Sequence, residues 1–160
     1  MINLFKNFKK ECIVLSPVNG KCIPIEEVPD NMFANKLLGN GVAFIFEEND
    51  VYIPCDGEVV MIAHTKHAFG LKCKNGMEVL VHIGLDTVTL NGEGFDVLIK
   101  QGQQVKAGDK AVIINQELMR ENGINLVTPM VITNSNEYEL ENIFNGFVKT
   151  GEYILHSSKK

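Results

Sequence analysis

No apolar run in these 160 residues approaches the roughly 20 that a helix needs to cross a bilayer. Met1 to Lys10 mixes Ile2, Leu4, Phe5 and Phe8 with Lys6, Lys9 and Lys10, but it lacks the apolar core of a secretion signal. Residues 1–12 therefore read as a solvated, flexible tail with at most peripheral membrane contact. Basic residues are in the minority: 15 Lys and Arg face 20 Asp and Glu, for a net charge of −5. No basic stripe is visible, which argues against nucleic acid and for a cationic partner protein. The four cysteines (Cys12, Cys22, Cys55 and Cys73) form no C-x-x-C pair and no zinc-type spacing. Cys22, Cys55 and Cys73 read as small buried hydrophobes in a reducing cytoplasm. Low-complexity segments and interdomain linkers are missing too, so residues 13–160 read as one domain.

What is present is mostly strand signal. Ile13–Leu15, Gly20–Ile25, Val42–Glu47, Val51–Pro54, Gly57–Ala63, Phe69–Cys73, Met77–Ile83, Asp96–Ile99, Lys110–Asn115, Met130–Thr133 and Gly146–Val148 are short and bounded by Gly, Pro, Asn or Asp. This pattern predicts an all-β protein, an antiparallel sandwich or barrel with one or two short helices. The helices fall at Asp30 to Leu38, starting on an Asp cap, and at Gln116 to Asn122, closed by Gly123. Pro17-Val18-Asn19-Gly20 and Pro54-Cys55-Asp56-Gly57 share the pattern P-x-[ND]-G followed by a strand, the mark of a duplicated β unit. Gly102 to Asp109 adds a further tight-turn strand of G-x-x-V-x-x-G-D form.

Two histidines stand out. Asn75-Gly76 between alternating apolar runs is a strong hairpin signal. With those two residues as a type I′ turn, Phe69 faces His82 and His67 faces Gly84. Thr65, His67, Leu80 and His82 then share one face, with the imidazoles as diagonal neighbours roughly 7–8 Å apart at the backbone. Paired imidazoles on a sheet suit phosphoryl transfer, metal binding or acid–base chemistry. The bland alternative is two polar positions on a solvated face, and a one-residue slip would reverse the faces. His64 is read as solvated or partner-facing, because i and i+3 on a strand point to opposite faces, and His156 reads as solvated.

Longer runs carry a resemblance. Gly76-Met77-Glu78-Val79-Leu80-Val81-His82-Ile83-Gly84-Leu85-Asp86-Thr87-Val88, Thr65-Lys66-His67-Ala68-Phe69-Gly70, Leu90-Asn91-Gly92-Glu93-Gly94-Phe95 and the stretch from Glu27-Val28-Pro29-Asp30 to Gly39-Asn40-Gly41 together resemble the glucose-type enzyme IIA family of the bacterial phosphoenolpyruvate-dependent sugar phosphotransferase system. The resemblance implies a β-sandwich phosphocarrier. His82 would accept a phosphoryl group on Nε2 from the phosphocarrier protein HPr and pass it to a cysteine of a sugar-specific IIB domain. His67 would stabilise the phosphoryl oxygens, Thr65 would orient His67, and a backbone carbonyl near Gly84 would orient His82. Met32, Phe33, Leu37, Leu38, Leu80 and Val88 would form an apolar docking rim, with Asp30 and Asp86 meeting cationic groups on HPr. Ala63 stands where some relatives carry Phe, and Asn40 where they often carry Asp.

Three other readings compete. His67, His82 and Asp86 offer ligands for a zinc-dependent hydrolase, although a general base and substrate pocket are not evident. A non-catalytic module regulating transporters or kinases would use the same face. A lipoyl- or biotin-type carrier would need a hairpin-tip Lys, and none is found. The resemblance implies no required cofactor for the phosphocarrier, and it implies that His67 and His82 can bind zinc where a partner protein supplies a carboxylate.

Overall fold

A computed structural model describes residues 11–160. The strands are β1 (Glu11–Leu15), β2 (Gly20–Pro24), β3 (Asn40–Phe46), β4 (Asp50–Tyr52), β5 (Gly57–Ile62), β6 (Ala68–Cys73), β7 (Glu78–His82), β8 (Phe95–Val97), β9 (Gln104–Val105), β10 (Lys110–Ile114), β11 (Thr128–Ile132), β12 (Tyr138–Glu141), β13 (Gly146–Val148) and β14 (Tyr153–Lys159). Two short helices interrupt them, α1 (Asn31–Ala34) and α2 (Gln116–Glu121). One eight-stranded sheet runs β13-β2-β3-β11-β7-β6-β5-β9, and two three-stranded sheets run β1-β14-β12 and β4-β10-β8. The pairings are antiparallel, as the turn-rich pattern predicts. The tail assigned to residues 1–12 lies outside the described residues as far as position 10, and Glu11 and Cys12 already belong to β1.

Side-chain alternation divides the large sheet into two faces. Val42, Phe44 and Phe46 on β3, Phe69 and Leu71 on β6, Val79 and Val81 on β7, and Met130 and Ile132 on β11 meet Val14, Val51, Val112, Ile154 and Leu155 from the smaller sheets in one core. The opposite parity builds a second cluster from Ile23, Ala43 and Val131, covered by Ile25, Val28, Phe33 and Leu85, with Leu38 and Leu80 against its edge. All five residues of β11 are buried because this central strand is covered on both sides. The second cluster is the floor on which the candidate site rests.

The duplicated unit is built in detail. Leu15 N–H donates to Pro54 O and Tyr52 N–H to Pro17 O, both at 2.8 Å. Asn19 Oδ1 accepts from Thr150 N at 2.7 Å, and Asp56 Oδ1 from Ala107 N at 2.9 Å. The receiving loops share the pattern V-K-x-G-[DE], at Val105–Asp109 and Val148–Glu152, and in each the final acid accepts from its own Lys N–H. The two halves thus clasp one another through matching turns, each Pro setting φ and each Asn or Asp closing a loop.

Both helices form where the caps predict, but α1 is shorter than Asp30–Leu38. Asp30 accepts from Met32 N–H, and the chain leaves helical geometry by Lys36, at φ 59°. Strands β12 and β14 escape the sequence pattern. In β14 the polar run His156-Ser157-Ser158 hides the alternation, although Ser157 is fully buried opposite Cys12. His156 is correspondingly half-buried between Glu11 and Glu141, 3.7 and 3.9 Å away, rather than solvated.

Gly41 on β3 offers a direct test of the central pairing. A Cβ there would lie 2.1 Å from Met130 O. Gly41→Ala is expected to lower unfolding free energy by about 1–3 kcal/mol, read as a shift of the urea midpoint at constant slope.

Candidate functional site

The site is made by two turns at the same end of β6 and β7. The chain leaves β5 at Ile62, turns through residues 63–67 and enters β6 at Ala68. Thr65 and His67 therefore sit in a turn, and Lys66 between them adopts φ 64°. At the far end of the hairpin, Cys73 N–H donates to Met77 O at 2.8 Å and Gly76 N–H to Cys73 O at 2.9 Å, so Lys74, Asn75 and Gly76 form a three-residue turn. Gly76 takes φ 89°, the left-handed residue that such a turn needs. The two-residue turn read from Asn75-Gly76 is thus not the one formed. The ladder pairs Ala68 with His82 and Phe69 with Val81, one residue out of step with the pairing of Phe69 to His82. In this register strand parity alone would send His67 toward the core with Phe69. The turn rescues it: with Lys66 left-handed and His67 ahead of the ladder, the ring is freed from that alternation.

The two imidazoles lie beside one another, ring centroids 4.8 Å apart and nearly perpendicular at 77°. His82 Nδ1–H donates to Gly84 O at 2.8 Å. A carbonyl can only accept, so the proton sits on Nδ1 and Nε2 keeps its lone pair. His67 Nδ1 is 2.7 Å from Thr65 Oγ1. Burial lowers both imidazoles from their ordinary 6.5. For His67 the neighbouring His82 adds to this. For His82 the Gly84 carbonyl, followed by Asp30 and Asp86, pulls in the opposite direction. Both rings are therefore neutral at neutral pH.

Behind the rings is a shell that motif reading did not single out. Gly84 sits at φ 76°, and a Cβ on it would meet Thr87 Cγ2 at 2.6 Å. Thr87 Oγ1–H donates to Ile83 O at 2.7 Å, Gly84 N–H to Thr128 Oγ1 at 3.2 Å and Leu85 N–H to Asn125 O at 2.8 Å. Ile83 N–H donates to His67 O at 2.7 Å, tying the two turns together. Thr87 is fully buried, and its place four residues after Ile83 in an otherwise exposed segment was the signal available.

Around the rings a depression of about 200 Å³ is lined by Asp30, Met32, Phe33, Leu38, Asp86, Thr87 and Val88. The residues assigned to an apolar rim divide. Met32, Leu37 and Val88 are 49, 66 and 52% exposed. Phe33 is only 4% exposed and lays its ring 5.1 Å from that of His82, so it supports the imidazole and does not present itself to a partner. Leu38 and Leu80 are half-buried against the second cluster. Asp30 caps α1, and Asp86 is an exposed left-handed residue. His64 is exposed in the turn, not on a strand. The zinc-hydrolase arrangement is not assembled: the ligand atoms of His67, His82 and Asp86 do not converge within 4.8 Å, and the group that does so among the described residues is made of cysteines.

The class defined here is an antiparallel β sandwich presenting two neighbouring imidazoles in a surface depression. A model of the family described as phosphoenolpyruvate-dependent sugar phosphotransferase system, EIIA 1, matches residues 12–138. The chain is 48% identical over 126 residues to a glucose-specific EIIA component of Bacillus cereus, covering 79% of this chain and 76% of that one. It is 38% identical to a glucose-specific EIICBA component of Staphylococcus carnosus, covering 89% of this chain and 21% of that longer protein. Its fold superposes on the glucose permease IIA from Mycoplasma capricolum with a TM-score of 0.87 at 39% identity, covering 93% of this chain and 97% of that one. This protein belongs to the EIIA 1 family of the sugar phosphotransferase system.

The lowered imidazoles have a stability consequence. The unfolded chain binds these protons more readily, so their contribution is complete above about pH 6.5 and is lost as pH falls toward the folded-state values. Imidazole NMR titration is expected to place both midpoints below 6.5. The urea midpoint should fall in the same acid window, and less so in His67→Gln.

Proposed function

We propose that this protein is a histidine phosphocarrier in which His82 Nε2 accepts a phosphoryl group from phospho-HPr and hands it to a cysteine of a sugar-specific IIB domain. One observation carries the reading: the 2.8 Å bond from His82 Nδ1–H to Gly84 O, which leaves Nε2 free with a second imidazole 4.8 Å away. In the acceptor step the Nε2 lone pair attacks phosphorus, the N–P bond forms, and the donor's N–P bond breaks with its electron pair remaining on the donor imidazole. Positive charge growing on the His82 ring is met by Gly84 O, Asp30 and Asp86, the groups that favour its cationic form. The role proposed for His67 is to donate from Nε2 to the phosphoryl oxygens, which requires the Thr65 hydroxyl, 2.7 Å away, to be the donor to Nδ1. In the second step a IIB thiolate attacks phosphorus and His82 departs as the neutral, Nδ1-protonated ring.

The shape of the site supports a carrier over a hydrolase. A depression of about 200 Å³ is smaller than the roughly 300–1,000 Å³ of drug-sized ligand sites, which favours a group that arrives on a macromolecule. Exposed Met32, Leu37 and Val88 supply an apolar docking rim, and Asp30 and Asp86 its acidic edge. Phosphorylation adds about −1.5 to −2 charges at the centre of that rim, which favours release of one partner and choice of the next. The composite EIICBA name of the Staphylococcus carnosus relative supports a B-type acceptor.

With phosphoenolpyruvate, enzyme I and HPr, the chain is expected to gain one acid-labile, base-stable phosphoryl group, measured by intact mass. His82→Ala should gain none. His67→Gln should still be labelled at His82 but pass the group to IIB more slowly, by roughly 10²–10³-fold, the scale of a lost oxyanion donor. Onward transfer at the wild-type rate would contradict the role given to His67.

A further inference from the structure

Three of the four cysteines, which the sequence scatters and reads as buried apolar side chains or leaves unassigned, converge away from the histidines. We propose that Cys12, Cys55 and Cys73 form a thiolate site for a single monovalent copper ion. Their sulfur atoms lie within 4.8 Å of one another. Cys55 Sγ and Cys73 Sγ are 2.9 Å apart. Three thiolates sharing an ion at a metal–sulfur distance of about 2.3 Å stand on the order of 4 Å from each other, so little movement is needed to close on it.

The backbone fixes this convergence. Cys12 comes from β1, Cys55 from the loop after β4 and Cys73 from the end of β6. The bond from Leu15 N–H to Pro54 O (2.8 Å) pins β1 to the Cys55 loop. The pairing of Gly57 with Cys73 pins that loop to the hairpin. Packing does not demand sulfur here, as the duplicated half demonstrates. At the position of Cys55 in the P-x-[ND]-G repeat stands Val18, and the residue paired with Gly20, as Cys73 is with Gly57, is Phe46. Both are ordinary core residues. The fold fills two of these positions with hydrocarbon in one half and with thiols in the other.

The donor set selects the ion. Structural zinc takes four ligands, and four cysteines hold iron–sulfur clusters. No fourth His, Cys, Asp or Glu joins these three among the described residues. His156 stands opposite Ile13, on the other face of β1. Three soft sulfurs without a fourth donor suit monovalent copper. Binding one Cu⁺ to the three thiols forms three Cu–S bonds and releases three protons, with no change in oxidation state. Cys12 is the half-buried member and gives the ion its entry, while Cys55 and Cys73 are buried. Occupied, the site would tie the first strand, the repeat loop and the hairpin at one point.

The test is an anaerobic titration of the reduced full chain with Cu(I) buffered by bicinchoninate. The expected result is one copper per chain, a near-ultraviolet thiolate-to-copper band, and a rise in the melting midpoint with free copper. Cys12→Ser and Cys73→Ser should lose the band and the thermal shift. Cys22→Ser, whose sulfur instead contacts Phe144 O, should keep both. Should Cys73→Ser fail to fold, the half-buried Cys12→Ser still decides the matter. Copper held equally by wild type and Cys12→Ser would overturn the proposal. So would a reduced protein that binds no copper and only forms a Cys55–Cys73 disulfide on exposure to peroxide.

Discussion

Which nitrogen of His82 is free depends on a carbonyl two residues further along the chain. For Gly84 O to reach back to Nδ1, the chain must reverse as soon as β7 ends, and it does so through a residue at φ 76° that has no room for a Cβ. The reversal is held by Thr87, Thr128 and Asn125, each meeting a main-chain group of residues 83–85. Each such bond contributes about 1 kcal/mol net, and an orphaned buried group costs about 1–3 kcal/mol. The proposed nucleophile thus depends on residues that lie behind the ring.

The surroundings of the ring balance opposing demands. Burial keeps both histidines neutral, the second imidazole adding to this for His67, as the proposed attack by nitrogen requires, while Gly84 O, Asp30 and Asp86 support positive charge on His82. Phe33, itself only 4% exposed, lies against the His82 ring and contributes to that burial. The second hydrophobic cluster is what lets a two-sided sheet offer a half-buried ring on its outer face. Met32 and Val88 remain exposed on the lining of the depression, where a passing protein surface would meet them.

The fold class was legible because its signals are local: short runs cut by Pro-x-Asn-Gly and Pro-x-Asp-Gly, alternation on β3, β6 and β7, Asp30 capping the first helix and Gly123 closing the second. The duplicated unit was visible as a motif, but its reciprocal hydrogen bonds were not, since they join residues far apart in sequence. The juxtaposition of His67 and His82 was anticipated from a ladder that is in fact displaced by one residue. It holds because Lys66 breaks strand geometry just before His67, a backbone choice that side-chain alternation does not encode. Strand β14 went unseen because its inward Ser157 is polar, and the cysteine cluster because nothing in the spacing of Cys12, Cys55 and Cys73 records that β1 folds against the Pro54 loop.

The central claim concerns one atom, and the position of phosphorus on the ring tests it most directly. After labelling through the phosphoenolpyruvate relay, phosphorus–nitrogen NMR of the intact protein should show phosphate on His82 Nε2, with the Nδ1 proton still bonded to the Gly84 carbonyl. Phosphate on Nδ1, or on His67, would contradict the account.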